Sequence, residues 1–168
     1  MSNTKNLYDE NAVKKIKDLV EDIKFCMFCT KVTNLPFKTR PMTTMDVDDD
    51  GNLWFFSNTV SDKNDEIKTN DIVQLLYAKN ADSEFLTITG RAEISKDRQK
   101  IDELWTSMVK AYFPDGKDDP DLSVIKVIPE EAYYWDTVHG KMITILEMAT
   151  SALTGDKFEG GVEGNIKV

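Results

Sequence analysis

Residues 39–63 read TRPMTTMDVDDDGNLWFFSNTVSDK and hold two β-rich stretches on either side of an acidic turn. The stretches 39–47 and 53–58 are rich in β-branched and aromatic residues, which is typical of strands. The intervening Asp-Asp-Asp-Gly at 48–51 is a strong turn signal. Because strands joined this tightly must pair antiparallel, the segment predicts a β-hairpin.

The same kind of sequence continues on both sides of this hairpin. Further β-rich stretches separated by turn signals lie at 26–33, 72–78, 85–94, 122–128 and 132–135. Apolar residues recur every three or four positions over 11–25 and 95–112, which predicts two amphipathic helices, and a short helix begins at Ser61. The chain is therefore expected to adopt an α+β, mainly β fold, a partly closed barrel of five to seven antiparallel strands.

The length of 168 residues suits a single domain. We expect that domain to occupy residues 1–150. Residues 151–168 are polar and Gly-rich towards their end, which predicts a loose C-terminal tail.

The charge and hydropathy of the chain argue against several classes of partner. A formal net charge of -9, with no local basic patch, disfavours binding to nucleic acid or to an anionic membrane surface. No apolar run is long enough to span a bilayer, and residues 1–5 lack the apolar core of a secretion signal. We expect a cytoplasmic protein with neither nucleic-acid nor membrane partners.

Cys26 and Cys29 form a C-x-x-C pair that follows a helix and enters a strand. A redox pair would stand at the start of a helix, and strand alternation points these thiols towards opposite faces. His139 is the single histidine, so cysteine and histidine cannot complete a tetrahedral zinc site. Two buried thiols are predicted.

The acidic turn also resembles the first half of a calcium-binding loop that would begin at Asp46. Its twelfth position, which requires a bidentate Glu, is Ser57, and the flanks are strand-like instead of helical. A tight hairpin turn is predicted here, and no metal site is assigned anywhere in the chain.

A second feature of the opening segment is a set of cationic and hydroxyl side chains at strand ends. Arg40 on one strand, with Ser61 and Lys63 at the start of a short helix, can converge on one dianion. Taken alone, these residues slightly favour the alternative of two unrelated surface cations in an acidic protein.

At these positions the chain resembles the FMN-binding split-barrel superfamily of pyridoxamine 5'-phosphate oxidase, and in particular its general stress protein branch. The resemblance covers about residues 16–135. Its blocks are 40–43 (RPMT), 53–57 (LWFFS), 61–63 (SDK) with 66–67 (EI), 88–92 (ITGRA), 104–105 (LW), 113–116 (FPDG), 119–122 (DPDL) and 133–136 (YYWD).

The resemblance implies a six-stranded antiparallel split barrel that forms a homodimer with FMN at the interface. It implies that the phosphate is held by Arg40, Ser61 and Lys63. The ribityl chain and the flavin would be lined by Pro41, Met42, Thr43, Phe56 and Ser57. Trp105 would cover the ring, although a Trp at this helical spacing also fits a core position.

Two departures from the family pattern bear on activity. Asp62 stands where the oxidase has an Arg, which removes one cation beside the phosphate. The positions of the oxidase's Arg-x-His-x-Arg substrate motif hold Lys141, Ile143 and Ile145. Oxidation of pyridoxamine phosphate is therefore not expected.

The leading functional hypothesis is an FMN-binding, stress-response-type protein that acts as an oxidoreductase or flavin reductase with a small-molecule electron donor or acceptor. No side chain is assigned as catalytic. The alternative is a flavin carrier or sensor without turnover. FAD, a deazaflavin or haem could replace FMN on the same barrel, and the available axial ligand for haem would be His139.

Overall fold

The structure is a computed structural model that describes residues 3–5, 7–137 and 161–167. Within them lie ten strands and three α-helices. In chain order these are β1 (Asn3–Thr4), β2 (Leu7–Tyr8), α1 (Asp9–Ile23), β3 (Phe25–Thr30), β4 (Lys38–Thr43), β5 (Asp46–Val47), β6 (Leu53–Asn58), α2 (Asp62–Thr69), β7 (Ile72–Lys79), β8 (Glu84–Ser95), α3 (Arg98–Leu104), β9 (Leu122–Thr137) and β10 (Gly161–Lys167), with 3-10 turns at Val109–Ala111 and Gly116–Asp118.

All ten strands belong to one sheet, in which β4, β3, β7, β8 and β9 are successive antiparallel neighbours. The first half of β9 also pairs with β6, and its second half pairs with β10. β5 forms the predicted hairpin with β6, whereas β1 and β2 add short parallel pairings to β10. Strands β3, β4 and β6 to β9 thus form a six-stranded antiparallel core.

The sheet curls until its distant strands meet. Phe28 on β3 and Phe55 on β6 are separated by three strands in the sheet, yet their rings pack edge to face with centroids 5.2 Å apart. Both side chains are fully buried. This closure confirms the predicted mainly β, α+β split-barrel class, although the described residues contain more strands than the predicted six.

Helix α1 packs against the barrel through its apolar stripe. The stripe residues, all at most 3% exposed, are Ala12, Ile16, Leu19 and Val20. The helix ends at Ile23, two residues before the predicted end, because Lys24 turns into the left-handed region with φ 62° and its N–H bonds to the Val20 carbonyl.

Strands β8 and β9 are in close backbone contact at a bulge. Gly90 lies opposite Pro129, and a Cβ placed on Gly90 would lie 2.3 Å from the Ile128 carbonyl oxygen. Glycine is therefore required here for close backbone contact. The bulge lets β9 run unbroken over Leu122–Thr137, so the prediction of two strands, 122–128 and 132–135, is wrong in that respect.

The prediction of a single helix over 95–112 is also wrong. Helix α3 covers only Arg98–Leu104, and Trp105 is already extended. Thr106 and Ser107 follow, and such hydroxyl side chains favour turns over helix interiors. The apolar residues of the segment still pack together, in a second cluster made of Ile101, Val109, Phe113, Leu122 and Val124 with the partly buried Met45, Trp54, Phe56 and Trp105.

The expected loose tail at 151–168 is partly replaced by a strand. Residues 161–167 form β10, which pairs with the second half of β9. Ile166 is fully buried and Val162 packs against the main core, so one face of β10 is anchored to the barrel.

Two local predictions are confirmed. Cys26 and Cys29 are both buried free thiols. The acidic turn is held by Asp48, whose carboxylate accepts hydrogen bonds from the backbone N–H groups of Asp50 and Asn52 and from the indole N–H of Trp54. Among the described helices, none is long and apolar enough to cross a membrane.

Candidate anion-binding site

Arg40 lies on β4, the edge strand of the barrel. Its Nη2 donates to Glu66 Oε2 at 2.8 Å, and its Nη1 donates to Thr30 Oγ1 at 3.0 Å. The side chain remains 24% exposed. Because the guanidinium has five N–H donors and these contacts use two of them, it can still donate to a bound anion.

Lys63 lies in the first turn of α2, next to two serines. Its ammonium donates to Ser57 Oγ, and to Ser61 Oγ at 3.2 Å. Ser61 is the N-cap of α2 and accepts a hydrogen bond from the Asn64 backbone N–H. The start of α2 therefore gathers a cation, two hydroxyl groups and the positive end of a helix dipole.

A buried network of polar side chains holds the start of α2 in position. Ser57 Oγ donates to Asn64 Oδ1 at 2.6 Å, and the Asn64 amide donates to Ser123 Oγ at 3.2 Å. Ser123 in turn donates to the Ser57 carbonyl at 2.9 Å. All three side chains are almost fully buried, so α2 is locked to β6 and β9.

Glu66 is ionised although only 8% of it is exposed. Burial acts to raise the pKa of its carboxyl group, but hydrogen bonds from Thr30 and Arg40 and the positive charges of Arg40 and Lys31 lower that pKa below its ordinary value. Its other oxygen lies 3.9 Å from the Lys31 ammonium.

In Lys63 the charged form is disfavoured instead. Burial and the charge of Arg40 lower the pKa of its ammonium and Glu66 acts against both, which together leave that pKa at about 8. The two cations are thus close enough to repel each other. One carboxylate, Glu66, faces Arg40, Lys63 and Lys31, which leaves the site with a surplus of positive charge.

This donor set fits a phosphate group. Phosphate dianions are held in proteins by Arg and Lys side chains, hydroxyl groups and helix N-termini, and all four are present here. The Ser57 and Ser61 hydroxyls donate to Asn64 Oδ1 and to the Asn58 carbonyl, so they would turn to donate to a bound phosphate. A bound dianion would also relieve the repulsion between Arg40 and Lys63. Asp62 lies exposed in the first turn of α2.

The structure does not bring every predicted site residue to this point. Phe56 and Ser57 are neighbours on β6 and therefore point to opposite faces of the sheet. Phe56 packs against Trp105 and Phe113, with ring centroids 6.0 and 6.5 Å apart. Phe56 and Trp105 thus lie together in the second hydrophobic cluster, on the other side of β6 from Lys63.

The residues after Arg40 divide in the same way between two faces of β4. Met42 packs against the main core, on the same strand face as Arg40. Pro41 and Thr43 point to the outer face, where they pair in register with Met27 and Phe25 of β3. The last two are 40% and 64% exposed, so this outer face is apolar and open to solvent.

Sequence reasoning assigned no role to Thr30, Asn64, Glu66 or Ser123. Glu66 belongs to a block that the resemblance picked out, and its spacing from Lys63 places both on one side of α2, but nothing local marks Thr30 or Ser123. His139, Lys141, Ile143 and Ile145 lie outside the described residues.

Comparison with known proteins identifies the family. The family model described as "Pyridoxamine 5'-phosphate oxidase like" matches residues 11–159. General stress protein 26 of Bacillus subtilis (strain 168) is 31% identical over 72 residues, which cover 41% of this chain and 51% of that protein.

Solved structures show the same fold. A protein described as general stress protein 26 from Jannaschia sp. CCS1 superposes with a TM-score of 0.78 at 24% identity and covers 94% of this chain and 98% of that one. The general stress FMN/FAD binding protein from Xanthomonas citri gives a TM-score of 0.64 at 23% identity, with 74% and 87% covered. Since the family model matches most of its length, the chain belongs to the pyridoxamine 5'-phosphate oxidase-like family.

Proposed function

We propose that this protein binds FMN and that Arg40, Ser61 and Lys63 hold the phosphate. The observation that carries the proposal is the surplus of positive charge at the start of α2, where Arg40 and Lys63 repel each other around a single carboxylate. Structural neighbours described as FMN or FAD binding support a flavin as the molecule that carries this phosphate.

The rest of the flavin would extend from the phosphate along β4. Met42 shares Arg40's face of that strand, and Ser57 lies beside Lys63. The bound flavin would supply hydride or electron transfer, while these side chains bind and orient it. Phe56 and Trp105 would act indirectly, by packing behind β6.

We further propose that the protein is a homodimer and that the second copy covers the outer face of β3 and β4. Phe25, Met27 and Pro41 present apolar groups to solvent there. Burial of such a patch against an identical one is favourable and forms a closed twofold interface. Because Arg40 lies on the same edge strand, β4, an interface along this edge would bring the flavin to the subunit boundary.

The experiment that tests the proposal is a titration of the purified protein with FMN, followed by flavin fluorescence. We expect saturable binding of FMN and much weaker binding of riboflavin, which lacks the phosphate. Equal affinity for the two would contradict the phosphate site. The absorption spectrum of the purified protein distinguishes a flavin from haem or a deazaflavin.

The rate of NADH or NADPH oxidation distinguishes an oxidoreductase from a flavin carrier or sensor without turnover. We expect the FMN-loaded protein to oxidise one of these donors faster than free FMN at the same concentration. A rate equal to that of free flavin would support a carrier or sensor in place of an oxidoreductase.

A further inference from the structure

Arg40 and two neighbouring side chains, Thr30 and Glu66, form a closed ring of hydrogen bonds. Thr30 Oγ1 and Arg40 Nη2 both donate to Glu66 Oε2, and Arg40 Nη1 donates to Thr30 Oγ1. Thr30 is fully buried and Glu66 is 8% exposed, so two of the three members are held by packing. The ring fixes one edge of the guanidinium.

We propose that Glu66 is a positioning residue for the phosphate site, which anchors the guanidinium of Arg40 through Oε2 and places a carboxylate charge on the side of α2 that carries Lys63. The inference rests on the proposed function, because it concerns how that phosphate would be held. It gives a role to a buried carboxylate that would otherwise be an unexplained negative charge beside an anion site.

The anchoring half of the proposal follows from the geometry. An arginine on an edge strand that is partly exposed would populate several rotamers, and ordering it on binding would weaken affinity. In this structure Arg40 is already oriented by Glu66 and Thr30, with its remaining N–H donors available.

The effect of Glu66 on the charge of Lys63 follows from the groups that surround that ammonium. Arg40 faces it from β4, Glu66 faces it from its own helix, and Lys31 lies on the far side of Glu66. Burial and Arg40 lower the pKa of Lys63 to about 8, and Glu66 opposes them. Removing the charge of Glu66 therefore lowers that pKa further, so that Lys63 loses its proton at a lower pH.

The test is the affinity of the full chain for FMN as a function of pH, in wild type and in Glu66→Gln. In wild type we expect affinity to fall as pH rises through about 8, because Lys63 must be protonated to bind the dianion. In Glu66→Gln we expect FMN to bind about tenfold more weakly at pH 7, with the alkaline fall moved to lower pH. Riboflavin affinity should not change.

Two further variants serve as controls. Asp65→Asn removes the same charge from the same helix, but Asp65 is exposed and pairs with Lys68, so it should leave the pH profile unchanged. Thr30→Val removes one member of the ring without altering charge. Thr30→Val should weaken FMN binding by a smaller factor than Glu66→Gln does, and its FMN affinity should fall at the same alkaline pH as in wild type. It also tests the anchoring of Arg40 if Glu66→Gln does not fold.

The outcomes separate this inference from the proposed function. If wild type binds FMN and riboflavin equally, the phosphate site itself is wrong. If wild type discriminates between them but Glu66→Gln binds FMN as tightly or more tightly with an unchanged profile, the site stands and the positioning role of Glu66 is overturned.

Discussion

Two clusters of charged side chains in this barrel have opposite compositions. In the cationic cluster, Arg40, Lys63 and Lys31 surround the single carboxylate of Glu66. In the acidic cluster, Asp22, Asp82 and Glu84 surround the single ammonium of Lys79. Each cluster therefore contains more charged groups of one sign than groups of the opposite sign to compensate them.

The two clusters respond to this excess differently. Burial and a neighbouring cation lower the pKa of Lys63 to about 8, and this cluster can be relieved by an anion. Burial and the carboxylates of Asp22 and Asp136 raise the pKa of Glu84 to about 7, and this cluster can be relieved by a proton. The two clusters therefore differ in what can neutralise them, because Arg40 keeps N–H donors for an anion whereas Glu84 takes up a proton.

The largest effect should come from removing a cation of the first cluster. Arg40→Ala and Lys63→Met should each weaken FMN binding by about 1.5–3 kcal/mol, roughly ten- to hundredfold, because each removes a charge-assisted hydrogen bond to the phosphate. Fluorescence titration measures this. Arg91→Ala is the matched control, since Arg91 on β8 is exposed and pairs with Asp71, just before β7, and with Glu130 on β9. Unchanged affinity in both site variants would exclude the proposed phosphate contacts.

A smaller effect, on the stability of the protein, should follow from replacing Glu84 of the acidic cluster with Gln. The folded-state pKa of Glu84, about 7, lies above its ordinary value of 4.5, so its stabilising contribution is complete below 4.5 and is lost as pH rises through 7. Glu84→Gln cannot ionise. It should therefore be more stable than wild type at pH 8, on the order of 1 kcal/mol after solvent screening, with little difference at pH 5.

Thermal or denaturant unfolding of both proteins at the two pH values checks this prediction. Glu130→Gln is the control, because Glu130 is an exposed carboxylate paired with Arg91. A stability difference that is the same at pH 5 and pH 8 would show that Glu84 does not titrate in this range.

The smallest effect should be that of a divalent cation on the acidic cluster. Lys79 already pairs with both Asp22 and Asp82, so added calcium should leave the unfolding temperature of wild type unchanged. Lys79→Met removes the ammonium and should make the variant's unfolding temperature rise with calcium. A rise in wild type of the same size would mean that the cluster is a cation site despite the lysine.

The cationic cluster was partly predictable from the sequence, and the acidic cluster was not. Arg40, Ser61 and Lys63 stand in recognisable motifs at the ends of local elements. Asp22, Lys79 and Glu84 come from α1 and the β7–β8 hairpin, and no local signal indicates that these elements pack together. Contacts between distant elements depend on the tertiary fold, which periodicity alone does not specify.

The same distinction explains the errors in the fold. The predictions for β6, β7 and β8 were correct to within one residue at each end. The predicted strand 26–33 ends at Thr30, and the predicted strand 39–47 is divided into β4, which pairs with β3, and β5, which pairs with β6. The misjudged points depend on tertiary context: the bulge at Gly90 that keeps β9 continuous, and the positive φ of Lys24 that ends α1. The sequence of β10 does show the alternation typical of a strand, since Val162, Gly164 and Ile166 alternate with polar residues. Its glycines, which are rare in strands, favoured the prediction of a loose tail instead.

The central place of β9 has a consequence for synthesis on the ribosome. Strand β6 is synthesised early, but its main pairing partner is residues 122–127 of β9. Leu53 cannot form its pair until Val127, more than seventy residues later in the chain, has been synthesised. Until then the hydrogen-bonding edge of β6 that receives β9 is unpaired, which exposes the nascent chain to association with other chains. A chain truncated before Leu122 should therefore aggregate instead of forming a smaller barrel.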